Sequence, residues 1–132
     1  MILIDSCMII PLLRRGIDPA REFSILAEQD DLCTCGVVRC EASRGIRDPK
    51  IRRRFQAYLD CLLYIPAPNK IWERTEELLY DCGSRGYIIP VTDGLIAACA
   101  LVAGASVLTL DKHFSCIPGL RLLTEYPRPD LM

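Results

Sequence analysis

Four carboxylates stand apart along the chain, at Asp5, Glu41, Asp93 and Asp111. Asp5 follows the apolar run Ile2-Leu3-Ile4, and Asp111 follows Val107-Leu108-Thr109-Leu110. Such runs suit strands covered on both faces in a parallel sheet. In open α/β sheets, functional groups gather at the carboxyl ends of strands, near the point where strand order reverses. Asp93 stands where a helix begins, just after Val91-Thr92, and taken alone reads as a cap stabilised by the helix dipole. Glu41, in Val37-Val38-Arg39-Cys40-Glu41-Ala42-Ser43, taken alone reads as a solvated helix carboxylate.

Convergence changes both readings. If the strands ending in Asp5 and Asp111 are neighbours, and the helices bearing Glu41 and Asp93 start or pass at the same edge, four carboxylates share one pocket. Two like charges ~4 Å apart cost about 4 kcal/mol at an effective dielectric near 20, so such a cluster takes up protons or binds divalent cations. An all-oxygen set selects a hard ion, Mg²⁺ with Mn²⁺ as a substitute, rather than zinc. A centre of that kind activates water and neutralises charge on an attacked phosphate, so phosphodiester hydrolysis without a protein nucleophile is the chemistry that follows. Ser6 and Thr109, beside two of the acids, either hydrogen-bond a water or phosphate there or satisfy local backbone groups. His113, the only histidine, reads as a loop residue rather than a general base.

The elements that must position these groups are legible in outline. With 132 residues, 51% hydrophobic and 25% charged at a net charge of −1, the chain is suited to one domain over residues 1–132, and a disordered chain is excluded. Asp18-Pro19 and Asp48-Pro49 are N-cap and first-turn pairs, the first opening a helix to about Glu28. After the second, Ile51, Phe55, Tyr58, Leu59 and Leu62 recur at helical spacing with Arg52, Arg53 and Arg54 largely opposite. Asn69 is placed to cap a helix with Ile71, Trp72, Leu78, Leu79 and Cys82 as apolar positions, and another helix is expected over 95–103 after Ile89-Pro90. Residues 32–35, 63–65 and 121–123 are weaker strand candidates. Strands alternating with helices predict a three-layer α/β/α domain with a mainly parallel central sheet, with no tail beyond residues 127–132.

Eight cysteines lie in apolar surroundings and read as buried or semi-buried reduced thiols. Cys33 and Cys35, with Cys40 nearby, hint at zinc or a thiol sensor, but no second close Cys or His pair completes four ligands. Cys7, Cys40 and Cys99 lie near the acids in sequence and read as packing residues. The uncharged stretch 94–110 is broken by Gly104-Ala105-Ser106 and reads as a buried helix and strand, not a membrane span. The first residues lack a basic n-region, so a cytoplasmic location is expected.

The segments Ile2-Leu3-Ile4-Asp5-Ser6, Val37-Val38-Arg39-Cys40-Glu41, Tyr87-Ile88-Ile89-Pro90-Val91-Thr92-Asp93-Gly94-Leu95-Ile96-Ala97-Ala98 and Val107-Leu108-Thr109-Leu110-Asp111-Lys112-His113-Phe114, in this order, strongly resemble the PIN-domain family. The resemblance covers nearly the whole chain and is strongest to the VapC-type toxins of prokaryotic toxin–antitoxin pairs. It implies a PIN fold and a metal-dependent ribonuclease whose metal centre is Asp5, Glu41, Asp93 and Asp111. Ser6 and Thr109 match the family's polar positions beside the first and last acids. It also implies a Mg²⁺-dependent endoribonuclease leaving a 5′-phosphate and a 3′-hydroxyl, neutralised by a VapB-like antitoxin and commonly homodimeric.

The near-neutral charge makes no case for nucleic acid, but its distribution is suggestive. Arg44, Arg47, Lys50, Arg52, Arg53 and Arg54 form a basic stretch just beyond Glu41, readable as a phosphate-contacting surface or as a solvated helix face. His113 and Lys112 follow Asp111 within reach of RNA, Lys112 reading equally as a surface charge. Two other classes compete with the nuclease: a PIN-like module that binds RNA or protein with little hydrolysis, and a thiol-based sensor built on Cys33 and Cys35.

Overall fold

The computed structural model describes residues 1–129; the last three residues of the 127–132 segment lie outside the described residues. Five short strands, β1 (Ile2–Ile4), β2 (Leu32–Cys35), β3 (Leu63–Ile65), β4 (Ser106–Leu108) and β5 (Leu122–Leu123), form one sheet in the order β3-β2-β1-β4-β5. Every pairing is parallel, and β1 aligns Ile4 with Leu108 of β4 and Leu3 with Cys33 of β2. The sheet is flanked by helices α1 (Ser6–Arg14), α2 (Pro19–Glu22), α3 (Ser24–Gln29), α4 (Gly36–Ser43), α5 (Pro49–Asp60), α6 (Asn69–Ser84) and α7 (Val91–Ala103), with a 3₁₀ helix at Lys112–Cys116. The expected α/β architecture is therefore present, with a wholly parallel sheet.

Strand order reverses at β1: the chain builds outward to β2 and β3, then returns to lay β4 on the opposite side. The crevice beyond the carboxyl ends of β1 and β4 is thus the switch point where α/β sheets place ligands. The runs are buried because both faces are covered: Leu3, Ile4, Val107 and Leu108 are within 1% of full burial. Below the site, Gly104 ends α7 with φ of 70°, a left-handed conformation that costs glycine little.

Several sequence expectations need correction. Asp18 does cap a helix through Ala20 N at 3.0 Å, but the helix breaks at Phe23, whose fully buried ring packs on Tyr126 at 5.0 Å between centroids. Tertiary burial of that ring outweighs local helix continuity. Pro68, not Asn69, takes the N-cap position of α6, and α7 begins at Val91, four residues before the expected start. Trp72, Ile51 and Leu110 are exposed, and Leu62 follows the end of α5. Leu110 lies outside β4 because the chain leaves the sheet at Thr109, whose hydroxyl turns inward to Asp5. All eight cysteines are free, yet Cys40 and Cys61 are exposed rather than buried. Burial pushes the Cys33 thiol up to about 11, which leaves it without thiolate character at neutral pH. No helix among the described residues is long and apolar enough to cross a membrane.

Candidate active site

Asp5 is both the residue after β1 and the N-cap of α1. Its Oδ1 accepts the Ser6 amide at 2.8 Å, and its own amide donates to Leu108 O at 3.0 Å, continuing the β1–β4 ladder by one rung. The carboxylate is 3% exposed, so its second oxygen needs a partner. Thr109 supplies it: Thr109 Oγ1 donates to Asp5 Oδ2 at 2.8 Å and accepts the Asp111 amide at 2.9 Å. Cys7 Sγ lies 3.3 Å from the same hydroxyl. Ser6, one residue into α1, reaches across to α4 and donates from Oγ to Glu41 Oε1 at 3.0 Å. Thr109 thus satisfies a local backbone group, as one of the sequence readings had it, and holds an acid besides, whereas Ser6 holds an acid across the chain.

Asp111 caps the 3₁₀ helix, its Oδ1 accepting the His113 amide at 2.9 Å. This turn swings the imidazole back over the acids. His113 Nδ1 lies 3.0 Å from Asp93 Oδ2 and 3.0 Å from Asp111 Oδ1. Asp93 sits in the first turn of α7, where Pro90 occupies the cap position and makes no side-chain cap bond. The solitary reading of Asp93 as a cap therefore gives way to a contact with His113. Its carboxyl is pushed up to about 6, first by burial and then by the charge of Asp111, with a smaller contribution from Asp5; the hydrogen bond to His113 works against the rise. Burial and, after it, the neighbouring negative charge both penalise the ionised form of Asp93.

Asp5, Asp93 and Asp111 thus gather beyond the carboxyl ends of β1 and β4, and Glu41 is attached to the group through Ser6. Asp93, Asp111 and His113 offer one ligand atom each within 4.8 Å of one another, and no other such His/Cys/Asp/Glu trio occurs among the described residues. Asp5 and Glu41 stand outside that trio: Thr109 links Asp5 to the Asp111 amide, and Ser6 links Glu41 to Asp5. Carboxylates that are buried at Asp5 and Asp93 and half-buried at Glu41 and Asp111, with an imidazole beside them, are a donor set that fits a divalent cation. The sequence read His113 as a loop residue and missed its contact with the acids. The signal available was its place two residues after Asp111, where an Asx turn brings the residue onto the carboxylate.

Beside Glu41 a groove of about 390 Å³ is lined by Ile10, Leu13, Arg14, Arg44, Ile46 and Arg47 among others, and Arg52 lines a second groove with Arg44. Arg53 and Lys112 are exposed. Among the described residues, Arg44, Arg47, Arg52 and Arg53 make no ion pair, whereas Arg39 meets Asp60 at 2.9 Å.

Comparison with known proteins follows the same outline. Three solved structures illustrate the likeness. VapBC2 from Rickettsia felis bound to a promoter DNA fragment superposes at a TM-score of 0.77, with 22% identity over 93% of this chain and 98% of that one. VapBC from Salmonella typhimurium bound to DNA gives 0.75, 18% identity, 92% and 96%. A toxin–antitoxin complex from Klebsiella pneumoniae gives 0.72, 22% identity, 96% and 98%. At these identities the likeness is one of fold. No curated protein matches the chain. A family model described as the PIN domain matches residues 2–120, which span β1 to the 3₁₀ helix and hold all four acids, and the chain therefore belongs to the PIN domain family.

Proposed function

We propose that this protein is a metal-dependent endoribonuclease of the VapC type, using Mg²⁺ or Mn²⁺ held by Asp5, Glu41, Asp93 and Asp111 as ligands and catalytic residues. The observation that carries the reading is the meeting of Asp93, Asp111 and His113 beside the Thr109-bound Asp5 at the switch point of a PIN fold. The cation, when bound, supplies Lewis-acid stabilisation of phosphate charge and activation of water. The chain's own residues do the rest. Thr109 fixes Asp5 with one oxygen directed by a strong charge-assisted hydrogen bond, Ser6 orients Glu41, and burial keeps Asp5 and Asp93 from being screened by solvent. Arg44, Arg47, Arg52, Arg53 and Lys112 have no carboxylate partner within ion-pair distance among the described residues and are free to meet RNA phosphates.

The same reading extends to partners. The structural neighbours are toxin–antitoxin assemblies, which supports a VapB-like antitoxin as this chain's inhibitor, with homodimerisation and a cytoplasmic setting as further parts of the proposal. The whole 1–132 chain acts as one domain in this view.

The test is to incubate the protein with total bacterial RNA and Mn²⁺ or Mg²⁺ and to map new 5′-phosphate ends against an Asp93→Asn control. Discrete metal-dependent ends missing from the control are the expected result. RNA binding without new ends would overturn the nuclease and favour the module that binds RNA or protein with little hydrolysis.

A further inference from the structure

The chain has a single histidine, and its Nδ1 stands 3.0 Å from one oxygen of Asp93 and 3.0 Å from one oxygen of Asp111. That spacing has a meaning for a metal site. Neighbouring ligands of an octahedral ion at about 2.1 Å are separated by √2 times that length, about 3.0 Å. Nδ1 is thus spaced from each carboxylate oxygen as one ligand is from its neighbour, and ligand atoms of the three residues lie within 4.8 Å of one another.

The ring is held in place by built structure. Its amide bonds Asp111 Oδ1 at 2.9 Å, its carbonyl accepts the Cys116 thiol at 3.2 Å, and the next residue, Phe114, is fully buried. The 3₁₀ helix is therefore pinned to the core immediately beside the histidine. In the metal-free site Nδ1 shares its proton with Asp93; the side chain keeps 48% of its surface exposed, so Nε2 can carry the ring proton toward water once a cation takes the place of that proton on Nδ1.

We propose that His113 Nδ1 is a ligand of the divalent cation held by Asp93 and Asp111, so that the site combines carboxylate oxygens with one imidazole nitrogen and prefers a first-row transition ion, Mn²⁺, to Mg²⁺. This rests on the metal-dependent reading above and departs from the all-oxygen set expected from the sequence. Mg²⁺ demands oxygen donors and gives up its waters reluctantly, whereas imidazole raises affinity along the first-row series.

The test uses protein without a histidine tag and Mn²⁺ as the probe. Electron spin echo envelope modulation of the Mn²⁺-loaded wild type should show coupling to a ¹⁴N nucleus with imidazole character, and no other histidine in the chain can supply it. His113→Ala should lose the coupling, and its Mn²⁺-to-Mg²⁺ affinity ratio by titration calorimetry should fall about tenfold. Mn²⁺ bound by the wild type without imidazole coupling overturns this inference and leaves the nuclease reading standing. No binding of either ion by the wild type overturns both. The wild-type spectrum decides even if the variant fails to fold.

Discussion

Thr109 Oγ1 donates to Asp5 Oδ2 at 2.8 Å and receives the Asp111 amide at 2.9 Å, so one hydroxyl ties together the ends of β1 and β4. Thr109 is 2% exposed and Asp5 3%, which makes this bond one that water cannot replace. Thr109→Val keeps the shape and removes the hydroxyl. It should cost about 1–3 kcal/mol, the usual penalty for stranding a buried partner. Urea unfolding of the two proteins measures it, and a loss below about 0.5 kcal/mol would show that the Asp5 carboxylate does not depend on the bond.

The raised pKa of Asp93 has a definite sign for stability. Its carboxyl titrates near 6 in the folded protein against an ordinary 3.8, so between those values the folded state binds more protons than the unfolded one. The charged form is penalised by folding, fully above pH 6 and not at all below the unfolded value. Asp93→Asn removes that penalty. In EDTA the variant should be more stable than wild type by on the order of 1–3 kcal/mol at pH 8, the advantage shrinking toward zero as pH falls to 4. A difference that stays level across this range would contradict the assignment.

Gly94 of α7 faces Leu79 of α6 at close range. A Cβ at this position would lie 2.8 Å from Leu79 Cδ2 and 3.0 Å from Leu79 Cγ. Gly94→Ala should therefore destabilise by about 1–3 kcal/mol through overpacking and shift the adjacent Asp93, lowering RNA cleavage. Leu79→Ala in the same chain should recover part of the stability by opening room. If the two losses simply add in thermal or urea melts, the helices do not touch there as described.

Arg44 and Arg47 flank Glu41 on the groove and have no ion-pair partner among the described residues. If they meet phosphates of single-stranded RNA, the double variant Arg44→Ala/Arg47→Ala should flatten the plot of log affinity against log salt by about 1.4, or roughly 0.7 for each phosphate left without its arginine. Binding of metal-free protein to a labelled RNA at several salt concentrations reads this directly. An unchanged slope would assign both arginines to ordinary solvated surface.

How much of this was legible beforehand follows from the range of the forces involved. Short apolar runs at 2–4 and 107–108, proline pairs at 18–19 and 48–49, and the alternation of helix with strand are local patterns, because periodicity and capping act within a few residues. They were enough for the parallel α/β architecture, and the segments carrying the acids were enough for the family resemblance. Residues whose fate depends on distant partners were not readable in this way. Trp72 and Leu110 have the composition of core but face solvent, and Phe23 splits a helix because its ring is needed against Tyr126, more than a hundred residues away.

For the site itself, the sequence determined the inventory of acids and the local segments that carry them, since those are properties of neighbouring residues. Only the tertiary structure decided how they group. The return crossover that lays β4 against β1 makes Thr109 the tether of Asp5, and the turn after Asp111 carries His113 onto Asp93. Both contacts join groups 20 to 104 residues apart in the chain, and no local preference encodes them. They arise because burying two parallel strands side by side leaves their polar ends with each other as the nearest partners.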